Sequence, residues 1–147
     1  MLKRDPSMDQ QIVKILTAYR NVAIVGASNK PHRDSFQVTQ FLMEQGFQIF
    51  PVNPNVEEIL GRKCYPSLMD IPETVEIVDI FRRPEEVVPI VEQAIAIGAK
   101  VIWMQLGVIN EEAARLARKS GLSVIMNRCI KIEFQRWMSD TEYPKDR

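Results

Sequence analysis

The stretch that decides the fold is Val22-Ala23-Ile24-Val25-Gly26-Ala27-Ser28-Asn29-Lys30-Pro31-His32-Arg33-Asp34-Ser35. Four apolar residues, three of them β-branched, run without alternation into Gly26. That is the pattern of a strand buried on both faces. Beyond the glycine lies a loop of small and turn-forming residues that carries Lys30, His32 and Arg33. An amphipathic segment follows, with Asp34 or Ser35 in cap position and Val38, Phe41 and Leu42 at helical spacing. A strand, a glycine turn and a helix start place free backbone N–H groups around an anion. This loop is therefore expected to hold a phosphate. The same pattern also describes an ordinary strand-to-helix turn, and many such turns bind nothing.

Working outward, the chain alternates between the two periods. Residues 9–18 read as a leading helix with Ile12, Ile15 and Leu16 on one face. Strands are expected at 21–26, 47–52, 75–81, 101–104 and 122–126. Gly46, Gly98 and Gly121 stop the helices between them. Residues 55–71 read as irregular, with turn signals at Leu60-Gly61 and Tyr65-Pro66-Ser67. Pro84 opens a helix that Pro89 either restarts or kinks. Asn110 caps the next helix, with Glu111 and Glu112 in its first turn. Residues 130–138 form a last short helix. Five apolar strands alternating with helices define an α/β fold, a Rossmann-like doubly wound parallel sheet with an expected order of 3-2-1-4-5. One domain is expected over residues 1–138, with its βα core at 21–133. The polar tail, 139–147, is expected to fray.

Composition narrows the function. The chain has 147 residues, 46% apolar and 26% charged, which suits one soluble domain with a sizeable core. The formal charge is zero, so no basic excess points to nucleic acid or an anionic membrane. No apolar run approaches the roughly 20 residues of a membrane-spanning helix. The first residues lack a signal-peptide core. Two cysteines, Cys64 and Cys129, make neither a disulfide framework nor a metal pattern, and the expected compartment is the cytoplasm.

In sheets of this class ligands bind beyond the carboxyl ends of the strands. NAD is the first ligand to consider, and the residues argue against it. Only the first glycine of G-x-G-x-x-G is present. The position after the second strand reads Pro51-Val52-Asn53-Pro54, without the acid that accepts from the ribose hydroxyls. No G-K-[ST] follows the glycine either, so a P-loop is absent. Another phosphate-bearing ligand fits better.

Six segments then carry a resemblance. They are G-A-S-N-K-P-x-R-x-S at 26–35, P-V-N-P at 51–54, G-R-K-C-Y-P-S-L at 61–68, V-D-I-F-R-R at 78–83, W-M-Q-L-G-V at 103–108 and N-R-C-I-K-I-E at 127–133. In this order the chain, from about residue 21 to 133, resembles the small stand-alone CoA-binding proteins. Their domain is similar to the CoA-binding domain of the succinyl-CoA synthetase alpha subunit. The resemblance implies a Rossmann-like domain that binds coenzyme A, or an acyl-CoA, with no established reaction. The synthetases' phosphohistidine chemistry uses a second domain, for which this chain is expected to have no residues.

The residues agree with that ligand. The pyrophosphate is expected on the turn of Gly26, Ala27 and Ser28 and on the helix start, with hydroxyl bonds from Ser28 and Ser35 and charge from Lys30 and Arg33. Asp34 is expected to cap its own helix and point away. Asn53 and Pro54 form a rigid edge where the resemblance places part of the nucleotide contact. Arg62 and Lys63 are candidates for the 3′-phosphate. Phe81 and Arg82 bring a ring and a charge, and Gln105, Leu106 and Gly107 lie on the path of the pantetheine arm.

Each residue has a plainer reading. His32 has no acid–base partner and suits a surface turn. Arg82 and Arg83 suit surface pairs with Glu85 and Glu86. Trp103 suits the core. Cys129 suits a small buried hydrophobe, while Cys64 beside Lys63 admits a lowered thiol pKa. Two function classes follow. One is a non-catalytic CoA-binding carrier, sensor or regulatory module. The other is an enzyme acting on a CoA thioester or a nucleotide, with a CoA-linked thiol redox protein as a third option. The partner is a small molecule, CoA, with no nucleic acid and no membrane. Homo-oligomer and protein partner both stay open.

Overall fold

The computed structural model describes residues 5–139; residues 1–4 and 140–147, and with them nearly all of the expected frayed tail, lie outside the described residues. The elements in chain order are α1 (Pro6–Ala18), β1 (Asn21–Val25), α2 (Asp34–Glu44), β2 (Gln48–Val52), β3 (Glu58–Ile59), β4 (Arg62–Lys63), β5 (Ile77–Ile80), α3 (Val87–Ala96), β6 (Val101–Met104), α4 (Glu111–Lys119), β7 (Ser123–Met126) and α5 (Ile130–Ser139). Single 3₁₀ turns cover Leu68–Asp70 and Pro84–Glu86.

Local chemistry explains the ends of these elements. The Asp5 carboxylate accepts from the Ser7 and Met8 N–H groups at 3.0 and 3.4 Å, and Pro6 has its φ preset for a first helical residue. Helix α1 therefore starts before residue 9. Asn110 caps α4 as expected, accepting from Ala113 N at 2.9 Å. Pro89 sits in the first turn of α3, where its missing donor costs nothing, so the helix restarts after the 3₁₀ turn rather than kinking. Within the stretch expected to be irregular, Leu60 and Gly61 both have positive φ, 51° and 77°, and close β3 and β4 into a tight hairpin.

The five long strands form the expected parallel, doubly wound sheet in the order β2-β1-β5-β6-β7. Counting only these sheet strands along the chain, the order reads 2-1-3-4-5. The expected 3-2-1-4-5 puts the third strand outside β2. It pairs instead with β1, from Val22 opposite Ile77 to Val25 opposite Ile80. Right-handed crossovers are compatible with both orders, which differ in the face that the link out of β2 crosses. That link holds no α-helix. Its Leu68 is buried with the core of α3 and α4, opposite the face that α2 covers, so the chain returns across β1.

The core lies on both faces of the sheet. Val22, Ile24, Ile77, Trp103 and Ile125 pack with α1, α2 and α5, while Ala23, Val25, Val78, Ile80, Ile102 and Met104 pack with α3 and α4. Each of the Val, Ile and Met side chains contributes about 1.5–3 kcal/mol of burial, which fixes the register of the sheet. The winding reverses between β1 and β5. A crevice is thereby set beyond Val25 and Ile80, where Phe81 N donates to the Val25 carbonyl at 2.8 Å.

Candidate functional site

A cleft of about 700 Å³ opens at that crevice. Of the residues singled out from the sequence, Gly26, Ala27, Ser28, Lys30, Arg33, Ser35, Asn53 and Phe81 line it, together with Asn29, His32, Asp34, Asn55 and Val56. Its floor is the turn after β1. The Gly26 and Ala27 N–H groups both donate to the Val52 carbonyl, at 3.1 and 3.2 Å. They are therefore spent on joining β1 to β2 and are not donors to a ligand, contrary to the expectation for this turn. The donors that remain lie further along. Ser28 Oγ accepts from Lys30 N at 3.0 Å, which leaves its hydroxyl hydrogen for another acceptor. Ser35 is buried and lines the cleft.

Helix α2 begins with Arg33 in the cap position and no side chain capping its first N–H groups. Contrary to the expectation that it caps this helix and points away, Asp34 is the first helical residue and its exposed side chain borders the cleft. The turn that closes from Arg33 N to the Lys30 carbonyl, at 3.0 Å, starts the helix one residue earlier than the Asp34-Ser35 pair suggests. An uncapped helix start has donors without intrahelical acceptors and the positive end of the dipole. Exposed Lys30 and Arg33 add charge beside it.

Asn53 is a brace. Its Nδ2 donates to the Ala27 carbonyl at 2.8 Å and its Oδ1 accepts from Asn55 N at 2.8 Å. The backbone beside it is stitched to the hairpin, with Asn53 N on the Tyr65 carbonyl and Tyr65 N on the Pro51 carbonyl, both at 2.9 Å. The rigid edge read from P-V-N-P thus has a physical basis in three elements.

A second cavity of about 360 Å³ shares Asp34 and Phe81 with the first, so the two adjoin at these residues. Its other walls are Gln37, Val38, Gln105, Leu106, Cys129, Lys131, Ile132 and Gln135. Of the expected arm path, Gln105 and Leu106 are found there and Gly107 is not. The sequence signal for Cys129 is its place just after β7, at the carboxyl end of the sheet, but the residues of α5 gave none.

The other candidates lie elsewhere. Pro54, Arg62, Lys63, Arg82 and Gly107 line neither cavity. Lys63 Nζ sits 5.3 Å from the Tyr65 ring centre. Gly107 N donates to Asn127 Oδ1 at 2.7 Å. Arg82 makes a two-point pair with Glu86, at 3.1 and 3.2 Å, and Arg83 joins the same carboxylate at 3.2 Å. Hydrogen bonds from Arg82 and then Arg83 hold the Glu86 carboxyl down at about 2. These arginines are structural pairs, as their plainer reading had it. Burial pushes the Cys64 thiol up, against the lowering that its neighbour Lys63 suggested, and its Sγ donates to the Asn53 carbonyl at 3.6 Å. Trp103 is fully buried, with Nε1 donating to the Arg128 carbonyl at 2.9 Å.

A parallel doubly wound sheet with an open crevice at its switch point is the class of α/β fold in which ligands bind beyond the carboxyl ends of the strands. The family described as "CoA binding domain" matches residues 20–135, and the chain belongs to that family. It is 38% identical over 122 residues to the protein YneT of Bacillus subtilis, covering 83% of this chain and 90% of that one. It is 32% identical over 124 residues to the alpha subunit of acetate–CoA ligase (ADP-forming) II of Pyrococcus furiosus, covering 77% of this chain and 27% of that subunit. The chain thus spans about a quarter of that ligase subunit. A solved structure of a Pyrococcus horikoshii protein superposes with a TM-score of 0.89 at 46% identity, over 95% of this chain and all of the other.

Proposed function

We propose that the chain binds coenzyme A and carries out no reaction on it, serving as a carrier, sensor or regulatory module. The observation that carries this reading is the pair of cavities that adjoin at Asp34 and Phe81, one at the uncapped start of α2 and the other at Gln105 and Cys129. CoA has the same layout: a phosphate-rich nucleotide at one end and a long, mostly apolar arm at the other. In this reading the diphosphate sits on the first turn of α2, with hydroxyl bonds from Ser28 and Ser35 and screening by Lys30 and Arg33. Phe81 packs at the junction, and the arm runs into the second cavity. The Gly26 and Ala27 amides hold the turn in shape through Val52 rather than meeting the phosphates. Free CoA and acyl-CoA fit the same groove.

The family membership and the open helix start support this reading. His32, Ser28 and Ser35 border the cleft, but no hydrogen bond joins them into an acid–base pair among the described residues, so acetyl-CoA is expected to stay intact with the protein. Calorimetric titration of CoA tests the seat. A charge-assisted bond contributes about 1.5–3 kcal/mol, so Ser28→Ala is expected to weaken CoA by about one to two orders of magnitude. Its ligand-free melting temperature is expected to stay near that of the parent. Parent-like affinity in Ser28→Ala would place the phosphates elsewhere.

A further inference from the structure

The second cavity holds two groups that the binding reading leaves without a task. Gln105 is only 5% exposed, and its Oε1 accepts from Ile130 N at 3.0 Å, which fixes the amide. Its Nε2 has two donor hydrogens, no acceptor among the described residues, and a place in the cavity wall. Among the described residues only the Asp79 side-chain oxygens are buried without a partner, so this amide nitrogen is open to the cavity and free to donate to an occupant with an acceptor atom. A pantetheine arm carries such atoms in its amide carbonyls and ends in a thiol. The second group is Cys129, a free, half-buried thiol in the same wall, beside Lys131. Cys64, by contrast, is buried, lines neither cavity and is tied to the Asn53 carbonyl.

Resting on the CoA reading above, we infer that the thiol end of bound CoA reaches Cys129, and that Cys129 forms a mixed disulfide with CoA by exchange with CoA disulfide. Cys129 loses its proton to solvent and its thiolate attacks one sulfur of the CoA disulfide. The protein–CoA S–S bond forms as the CoA–CoA S–S bond breaks. The second CoA leaves as a thiolate and takes up a proton from solvent. One disulfide replaces another, so no further oxidant enters. Gln105 holds the arm through a carbonyl, and the attacking group is the thiolate, as in any thiol–disulfide exchange.

The test uses reduced full-length protein with either CoA disulfide or pantethine, the disulfide of the same arm without its nucleotide. Intact mass and peptide mapping follow the adduct. Seating the nucleotide makes the exchange effectively intramolecular, so CoA disulfide at micromolar concentration is expected to modify Cys129 at least about tenfold faster than pantethine. Cys64 is expected to stay free, and Cys129→Ser, checked by its melt, to give no adduct. Equal rates for the two disulfides, an adduct on Cys64, or no adduct would overturn the inference. Calorimetry on Ser28→Ala reads the phosphate seat separately. Unchanged CoA affinity there, with Cys129 still selectively modified, would move the seat and leave the exchange standing.

Discussion

Asp79 is the residue whose chemistry fits its place least. It lies in β5, fully buried, and neither carboxylate oxygen has a hydrogen-bond partner. Its neighbours across the sheet are Ile24 and Trp103. Burial alone pushes its pKa well above the ordinary value of 3.8. The folded chain therefore keeps a proton that the unfolded chain releases above that value. Stability is lost as pH rises from there through the raised folded pKa. Asp79→Val removes the orphaned group, and its ligand-free stability at neutral pH is expected to rise by about 1–3 kcal/mol. Urea unfolding at about pH 5 and about pH 8 checks this, with a shallower pH dependence in the variant than in the parent. Gly26 shows a different mismatch between residue and reason. The sequence marks it as essential to the turn, and it is: φ is +88°, and a Cβ there would overlap the Phe81 carbonyl oxygen. The expected reason was the approach of a phosphate. The observed one is the approach of β5, which only the fold brings beside it. Gly26→Val thus damages the turn itself, and Ser28→Ala is the cleaner probe of the ligand.

Two helix starts, read at the scale of whole elements, show how the chain separates stability from binding. Helix α4 is fully capped: Asn110 accepts from Ala113 N and donates to the Pro84 carbonyl at 2.8 Å. Asn110→Ala is expected to cost about 0.5–2 kcal/mol in urea unfolding. Because Asn110 lies outside the groove, CoA affinity is expected to hold. Helix α2, which borders the groove, starts on Arg33 with no cap. Arg33→Ser supplies one, so it is expected to raise ligand-free stability by about 0.5–2 kcal/mol while weakening CoA, because the new hydroxyl takes an N–H group and a cation is lost. Unfolding and titration of the one variant should move in opposite directions. The elements themselves were legible because their apolar runs and glycine stops are local signals. Helix α1 starts three residues before its expected bound and α2 one residue before, because Asp5 competes with Ser7 and Asp9 as a cap and because α2 starts without any side-chain cap to mark it. The place of β5 was not legible. It depends on which face the helix-free link from β2 crosses, and that is settled by Leu68 packing against a distant core.

At the scale of the whole molecule, the groove exists because the winding reverses between β1 and β5, and its two ends differ in chemistry. The loop end carries the open helix start, Ser28, Lys30 and Arg33; the far end mixes the apolar Val38, Leu106 and Ile132 with Gln37, Gln105, Lys131, Gln135 and Cys129. Half of the site was legible, since Ser28 through Ser35 follow one strand directly. At the far end only Phe81, Gln105 and Leu106 were legible, from their places after strands; the walls from α2 and α5 were not, because they need those helices folded together. This polarity bears on which cofactor the chain prefers. NAD carries a second nucleoside where CoA carries its arm, and it asks for an acid after β2. That position holds Asn53, whose side chain is already committed to Ala27 and Asn55. CoA is therefore expected to stabilise the fold in a thermal melt, and NAD at the same concentration much less. At about 100 times its dissociation constant CoA adds about 2.7 kcal/mol. For a domain of this size, each kcal/mol raises the melting temperature by about 2–4 °C. A shift of about 5–11 °C with CoA is thus the expected result. Dephospho-CoA in the same melt isolates the 3′-phosphate, which none of Arg62, Lys63 and Arg82 is placed to meet from the walls of the groove. Its shift is expected to fall close to that of CoA. A larger shift with NAD than with CoA would overturn the cofactor assignment.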